Sequence, residues 1–246
     1  MKFTYESYRK LIDLLRLNGY FFVDYESYKK YDKCVIMRHD IDTSPEKALR
    51  LAKLEAEEGI SSTYFALLSS QFYNIAAKET KKILLQISDL GHKIGLHFDE
   101  MNYAEFDRDK IESYINNEVW IMNQILPIEI KAVSMHRPSR QTLEADYDLN
   151  HVVNSYGKIF FKDFKYVSDS RRRWREDVED IVKSCKYKRL HILTHAFWYN
   201  EVEIDLKTTL SEFIFSGNIA RYEIFERNFT DLNSVISKEV MQCLKK

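Results

Sequence analysis

An apolar, strand-like run in this chain ends in ionisable side chains whose types and spacing suit metal and proton chemistry. The run over 34–37 is followed at once by Arg38, His39, Asp40 and Asp42. Two carboxylates one residue apart at the end of a strand can divide between metal binding and proton transfer. We interpret Asp42 as a metal ligand and Asp40 as the general base that takes a proton from water. A carboxylate at the start of the next helix, held there by the helix dipole, is the alternative for Asp42.

The same pattern, a short β-prone run followed by polar side chains, recurs four more times. These runs end at His97, at His136 with Arg137, at Asp169 and at His195. Helical patterns separate the runs, which is typical of βα units and a parallel sheet. In α/β barrels the carboxyl ends of the strands build the active site. We therefore expect these side chains to form one constellation.

Asp42, His97 and His136 together offer one oxygen and two nitrogens to a metal ion. Catalytic zinc sites commonly use three protein ligands and keep further positions open for water and substrate. The sequence therefore predicts a divalent cation, most simply Zn²⁺, on these three side chains. A structural histidine is the alternative for His97, but the two glycines near it and the carboxylate after it favour a ligand.

The remaining candidates for catalysis are His195, Asp169 and Arg137. His195 ends a strand and is followed by aromatic residues, which suits a general acid that protonates a leaving group. Asp169 would accept a hydrogen bond from His195 and set its tautomer and its pKa. Arg137 would orient Asp40 through a bidentate pair.

Four side chains are candidates for binding the substrate, and they are Arg38, Arg171, Trp174 and Trp198. Trp198 would offer a platform on which a sugar stacks, and packing in the core is an equally good interpretation. Arg171 and Trp174 would bind a phosphate or a carboxylate of the substrate, or they belong to the solvated start of a helix.

Composition limits the class of protein. The chain has 246 residues, a net charge of −1 and a hydrophobic fraction of 45%, which is typical of one α/β barrel with a mixed surface. The balanced charge argues against a nucleic-acid partner, and no apolar run is long enough for a membrane span. Three widely spaced cysteines and the lack of an apolar leader at the N-terminus predict a cytoplasmic protein. The sequence leaves the oligomeric state unknown.

Periodicity predicts six strands, at 34–38, 62–67, 93–97, 131–135, 165–168 and 189–194. The segment 140–164 is ambiguous, with a further strand near 151–153 and another near 159–161. Helices are predicted at 4–18, 45–58, 78–90, 105–126 and 174–184. We expect a single barrel domain over 1–246, with 1–33 as a helical lead-in and 205–246 as C-terminal helices interrupted near Gly217.

In their order, these motifs resemble the polysaccharide deacetylase superfamily (carbohydrate esterase family 4-like), whose members adopt a distorted (β/α)7 barrel. The first family motif, usually Thr-Phe-Asp-Asp-Gly, is similar to 38–42, and its spaced Asp-x-Asp form occurs in divergent members. The second is similar to 91–97, and His136-Arg137-Pro138 loosely matches an Arg-x-Pro motif. Asp169 and the run over 194–198 are similar to the fourth and fifth. The resemblance implies that Asp40 is the base and Asp42 a metal ligand.

One departure from the family pattern bears on the metal site. The second motif usually supplies two histidines four residues apart, and the second place here is Met101. Asp99, Glu100 or His136 would have to complete the site. We favour His136 because it ends the strand that follows the strand of His97.

The resemblance implies a metal-dependent hydrolase that removes an N-acetyl or other N-acyl group from an amino sugar. The expected partner is an amino-sugar or glycan-precursor substrate from surface polysaccharide biosynthesis. Two alternatives remain open at this point. One is a catalytically silent barrel that binds a glycan or acts as a scaffold, which Met101 favours, and the other is another metal-dependent ester hydrolase.

Overall fold

The β-prone runs of the sequence fold as strands of one sheet in which every pairing is parallel. The computed structural model describes residues 1–103, 107–149 and 151–243. In this part the strands are β1 (Phe21–Val23), β2 (Cys34–Ile41), β3 (Thr63–Ala66), β4 (Lys93–Asp99), β5 (Ala132–His136), β6 (Val153–Asn154), β7 (Lys165–Ser168) and β8 (Arg189–Thr194). The strand order is β6-β5-β4-β3-β2-β8-β7, and β1 pairs with the first residues of β2.

The sheet is curled into an incomplete barrel. β6 and β7 follow each other in the chain but lie at opposite ends of the strand order, so a seam separates them. Arg38 on β2 nevertheless donates hydrogen bonds to Ser134 on β5 and, at 3.3 Å, to Ser155 directly after β6. In a flat sheet β2 and β6 would lie roughly 19 Å apart, because neighbouring strands are about 4.8 Å apart. The prediction of an α/β fold with a distorted (β/α)7 barrel is confirmed.

Helices α2 to α7 connect successive strands from β2 to β8, as βα units require, whereas α1 precedes β1 and α8, α9 and α10 follow β8. The helices of the described residues are α1 (Tyr5–Leu17), α2 (Pro45–Glu57), α3 (Lys78–Asp89), α4 (Ile111–Ile125), α5 (Arg140–Ala145), α6 (Ile159–Lys162), α7 (Val178–Lys183), α8 (Leu206–Glu226), α9 (Leu232–Val235) and α10 (Lys238–Cys243). The hydroxyl of Ser44 caps α2 by accepting from the backbone N–H of Lys47, and Pro45 occupies the first turn. The sequence signals for this helix therefore act as expected.

Alternation along β2 separates the barrel interior from the layer between sheet and helices. Ile36 packs in an interior cluster with Phe65 of β3 and Phe160 of α6. Val35 and Met37 belong to the large cluster that contains the buried faces of the helices. The same alternation directs Arg38 and Asp40 towards the interior and His39 outwards.

His39 lies on the outer face of β2, where its contacts support the fold and not the candidate site. Its Nε2 lies 2.9 Å from Oε1 of Glu55 on α2, and its Nδ1 lies 2.6 Å from the hydroxyl of Thr194. Burial by itself raises the pKa of Glu55, but the charge of His39 and its hydrogen bond outweigh burial and lower that pKa to about 2. This buried pair fixes α2 against the sheet and is separate from the interior.

The structure corrects several element predictions. The segment near 159–161, predicted as a strand, is helix α6, whose Phe160 fills the barrel interior. Helix α8 runs through Gly217 without a break, since one glycine costs a helix only about 1 kcal/mol relative to alanine. Strand β1 was not predicted because three residues carry too little periodicity. The helix predicted over 105–126 is α4 from Ile111, and residues 105 and 106 lie outside the described residues.

The chain divides into two compact units, Met1–Glu201 and Val202–Lys246. The first contains all eight strands and every candidate site residue. A single domain over 1–246 stays a prediction, and residues 244–246 lie outside the described part. Among the described residues, no helix is long and apolar enough to cross a bilayer.

Candidate metal and catalytic site

The carboxyl ends of β2, β4 and β5 bring Asp42, His97 and His136 together. One ligand atom of each lies within 4.8 Å of those of the others. Oδ1 of Asp42 is 3.2 Å from Nε2 of His97 and 3.3 Å from Nδ1 of His136, and these two nitrogens are 3.0 Å apart. The sheet accounts for this arrangement, because β4 and β5 are neighbours and their ends lie at the same edge.

The chemistry of this cluster fits a divalent cation. Oδ1 of Asp42 is buried and has no well-oriented hydrogen-bond donor among the described residues. Burial alone raises the pKa of Asp42, but the nearby imidazoles of His136 and His97 outweigh it and hold that pKa well below its usual range. The hydroxyl of Ser134 lies 2.9 Å from Nδ1 of His97, which orients the ring with Nε2 towards Asp42. One carboxylate and two imidazoles are a set of donors that suits Zn²⁺.

Asp40 is held beside this cluster by Arg38. Nε and Nη2 of Arg38 donate to the two carboxylate oxygens of Asp40 at 2.9 and 2.8 Å. The guanidinium lies between the rings of Phe65 and Tyr156, at 5.2 and 4.8 Å from their centroids. Burial raises the pKa of Asp40, but the charge and hydrogen bond of Arg38 together with the nearby imidazoles of His97 and His195 outweigh burial and lower it, so the carboxylate is ionised at neutral pH. Oδ2 of Asp40 is 3.6 Å from Nε2 of His97.

His195 and Asp169 form a second hydrogen-bonded pair of ionisable side chains. Nδ1 of His195 is 2.6 Å from Oδ1 of Asp169, and the backbone N–H of His195 donates to both oxygens of that carboxylate at 3.1 Å. Nε2 of His195 lies 3.7 Å from Oδ2 of Asp42. Burial by itself lowers the pKa of His195, but the charge and hydrogen bond of Asp169 together with the charges of Asp42 and Asp40 outweigh burial and raise that pKa to about 9. The imidazole is therefore fixed at one nitrogen and faces the cluster with the other.

Arg38 and Arg137 have different partners from those that the sequence predicted. Arg38, expected to bind substrate, is completely buried and has Asp40 as its partner. Arg137, expected to hold Asp40, contacts Oδ2 of Asp99 at 2.6 Å instead. Arg38 lies two positions before Asp40 on one strand, so both side chains point into the interior, whereas Arg137 follows the end of β5 in a left-handed conformation with φ 47°.

A cleft of about 830 Å³ opens above these groups, and Asp40, Asp42, His97, His136 and His195 all line it. Arg137 and Arg171 line it as well.

Of the predicted substrate-binding tryptophans, neither Trp174 nor Trp198 is among the residues that line this cleft. Both are half-buried and pack against the outer core, so for Trp198 the structure favours the packing interpretation.

Three aromatic side chains that the sequence analysis missed form one wall of the cleft. They are Tyr156, Phe161 and Tyr166, with ring centroids 5.6 Å apart between Tyr156 and Phe161 and 4.8 Å apart between Phe161 and Tyr166. Arg175 also lines the cleft. The aromatic-rich run from 156 to 166 was the available signal, but the ambiguous structure of 140–164 concealed which side chains face the site.

Met101, which stands where the family pattern has a second histidine, does not line the cleft. It lies in a 3-10 helix over Glu100–Asn102 directly after β4, and it is 70% exposed. His136 takes the third place beside Asp42 and His97.

A scan against protein-family models finds no match, and a comparison with curated proteins finds no similar sequence. Several solved structures are similar. A family 4 carbohydrate esterase from Bacillus anthracis shares 17% identity, covers 75% of this chain and 76% of its own, and gives a TM-score of 0.45. A family 4 carbohydrate esterase from Streptomyces lividans shares 14% identity over 68% of this chain and 80% of its own, with a TM-score of 0.46.

A CE4 family pseudoenzyme from Bacillus anthracis is similar to the same degree, with 14% identity over 76% of this chain and 62% of its own and a TM-score of 0.47. The chain is thus similar to carbohydrate esterases and to a pseudoenzyme alike. Likenesses at these scores decide nothing about activity.

Proposed function

We propose that the protein is a divalent-metal-dependent hydrolase that removes an N-acyl group, most simply acetyl, from an amino sugar. The observation that carries the proposal is the convergence of Asp42, His97 and His136 within 4.8 Å, flanked by two separately held proton-transfer groups. Oδ2 of Asp40 lies 3.6 Å from Nε2 of His97, and Nε2 of His195 lies 3.7 Å from Oδ2 of Asp42. A set of metal ligands with a base and an acid beside it is the arrangement that hydrolysis of an amide needs.

The roles of the chain's residues follow from their contacts. Asp42, His97 and His136 would hold the cation, and Zn²⁺ is the ion that this set of donors favours. When bound, such a cation acts as a Lewis acid that polarises the amide carbonyl and lowers the pKa of water. Arg38 keeps both oxygens of Asp40 in a fixed plane.

Two proton transfers complete the hydrolysis. Asp40 takes a proton from the water that attacks the carbonyl carbon, and the carbon–nitrogen bond then breaks. His195 gives its proton from Nε2 to the departing amine, while Asp169 holds Nδ1. The products are a carboxylate and a free amino sugar.

The substrate class rests on the shape of the cleft and on the resemblance of the motifs. A volume of about 830 Å³ admits a sugar with a substituent. The wall formed by Tyr156, Phe161 and Tyr166 offers ring faces on which the apolar face of a sugar packs. A glycan precursor is the proposed substrate.

Metal analysis joined to an activity assay tests the proposal. We expect about one zinc ion per chain and release of acetate from acetylated amino sugars. Asp42→Ala should lose both zinc and activity, since it removes the only carboxylate among the proposed ligands. Asp13→Ala is the control, because Asp13 is exposed on α1. Full hydrolysis by a metal-free Asp42→Ala protein would contradict the mechanism.

The silent glycan-binding barrel is the alternative that Met101 favours. Stable absence of zinc from the purified protein would support this alternative. Acetyl esters and phosphoesters in the same assay test the third interpretation, another metal-dependent ester hydrolase. Hydrolysis of these esters without hydrolysis of acetamido sugars would favour it.

A further inference from the structure

We propose that the cleft selects an acylated amino sugar that carries a phosphoryl group, and that Arg171 and Arg175 bind this group. The inference rests on the proposed function and adds the substrate's charge to it. Both arginines line the same cleft as Asp42 and His195. They lie on the segment that follows β7, and the aromatic wall of Tyr156, Phe161 and Tyr166 lines the same cleft.

Apart from Asp42, which we assign to the cation, the carboxylates that line the cleft each have a basic partner. Arg38 neutralises Asp40. Glu176, also in the lining, has its carboxylate paired with Lys165 at 2.7 and 2.5 Å. Arg137 is paired with Asp99. Among the described residues, Arg171 and Arg175 have no acidic partner within ion-pair distance, so the cleft lining carries two positive charges that no carboxylate compensates.

The backbone around Arg171 supports a binding role. Arg171 and Arg172 are consecutive residues with φ of 60° and 57°, a left-handed conformation that residues other than glycine rarely adopt. Such conformations persist where the surrounding structure imposes them, and they cluster at ligand sites. This turn starts directly after Asp169, the carboxylate that holds His195, so the proposed anion site and the proposed general acid share one connection.

The chemistry of two guanidinium groups favours a phosphoryl group. Guanidinium groups form paired, charge-assisted hydrogen bonds with phosphate oxygens. Phe161, which is 40% exposed, offers a ring face in the same cleft. The geometry therefore suits a sugar ring on the aromatic wall, its acylamino group at the cluster of Asp42, His97 and His136, and its phosphoryl group on the arginines.

The test compares N-acetylglucosamine 1-phosphate with the neutral methyl N-acetylglucosaminide on the zinc-loaded protein. We expect kcat/KM to be at least tenfold higher for the phosphorylated probe. The double variant Arg171→Gln/Arg175→Gln should lose that preference. Arg173→Gln is the matched control, because Arg173 is an exposed neighbour that does not line the cleft, and it should keep the preference within twofold.

A binding measurement separates this inference from the proposed function. Calorimetry with glucosamine 1-phosphate, the product, needs no turnover, and its affinity should fall at least tenfold in the double variant and weaken with added salt. Equal turnover of both probes overturns the inference and leaves the proposed function standing. Binding that depends on Arg171 and Arg175, without hydrolysis of any probe, overturns the proposed function and leaves the anion site standing.

A third probe distinguishes a sugar phosphate from a nucleotide-linked sugar as the substrate. A nucleoside-diphosphate-linked N-acetylglucosamine carries the same chemistry on a larger group, and its affinity is compared with that of the 1-phosphate. Tight binding of either probe through the two arginines supports the proposal. Failure of both to bind more tightly than the neutral sugar overturns it.

Discussion

Arg38 and Asp40 lie two positions apart on one strand, and the guanidinium of the first donates to both carboxylate oxygens of the second at 2.9 and 2.8 Å. Both side chains are buried. Removal of one partner of a buried pair leaves an uncompensated charge, which costs far more than the intact pair contributes. The arrangement therefore fixes where the proposed base lies, because a paired donation from one guanidinium holds both carboxylate oxygens.

Replacement of Arg38 should impair the base more than the metal site. We expect Arg38→Gln to lower kcat at least about 100-fold, the usual contribution of a positioned acid or base, and to destabilise the fold by about 3–5 kcal/mol. Arg38→Lys keeps the charge but lacks the planar fork, so it should restore stability better than kcat. Kinetics and urea unfolding measure both effects. Wild-type kcat in Arg38→Gln would show that Asp40 needs no such support.

His136, rather than Met101, should complete the metal site. We expect His136→Ala to weaken zinc binding by at least tenfold, since it removes one of three converging ligand atoms. Met101→Ala should bind zinc like the wild type, because Met101 is 70% exposed and does not line the cleft. Competition with a chelator gives both affinities. Loss of zinc from Met101→Ala alone would contradict this assignment.

Gly95, two residues before His97 on β4, should tolerate no side chain. A Cβ atom there would lie 2.5 Å from ring atoms of Phe65 and 2.9 Å from the carbonyl oxygen of Ala132. We expect Gly95→Ala to destabilise the fold by about 1–3 kcal/mol through overpacking and to lower zinc affinity, because the strand that carries His97 must shift.

Gly217→Ala is the matched control for Gly95→Ala. Its added methyl group meets nothing nearer than Nη1 of Arg221 at 3.5 Å, and it should stabilise helix α8 by about 0.5–1 kcal/mol. Thermal unfolding compares the two variants. An unchanged stability of Gly95→Ala would mean that the interior is looser than these distances indicate.

Glu118 on α4 should make stability depend on pH. Burial raises the pKa of its carboxyl to about 7 from 4.5, although Tyr103 donates a hydrogen bond to it at 2.8 Å. Between these pH values the unfolded chain binds fewer protons than the folded protein, so the free energy of unfolding falls as pH rises through this window. The loss above pH 7 is about 3 kcal/mol relative to acidic conditions.

Glu118→Gln should remove this loss, because the amide has no charge to bury. Urea unfolding at pH 5 and pH 8 measures it, and we expect the variant to be more stable than the wild type at pH 8. Glu112→Gln on the same helix is the control, since Glu112 is exposed. If the free energy of unfolding of Glu118→Gln fell with pH as steeply as that of the wild type, the dependence would belong to another group.

The sequence by itself determined the architecture and most of the proposed chemical groups. Apolar runs that end in polar side chains predicted a parallel α/β sheet with Asp42, His97 and His136 at one edge, because parallel strands bring their carboxyl ends to the same side. The contact between His195 and Asp169 was likewise predictable from two strand ends.

Only the tertiary structure decided which arginine holds the base and which aromatic residues face the substrate. Alternation places Arg38 and Asp40 on one face of β2. The sequence does not reveal that the barrel curls enough for the hydroxyl of Ser134 to accept a hydrogen bond from the same guanidinium. Phe161 was assigned to a possible strand and lies on a short helix at the cleft. Local patterns specify which way a side chain points along its own element, whereas partners from distant elements depend on the curvature of the sheet, which arises from packing across the whole barrel.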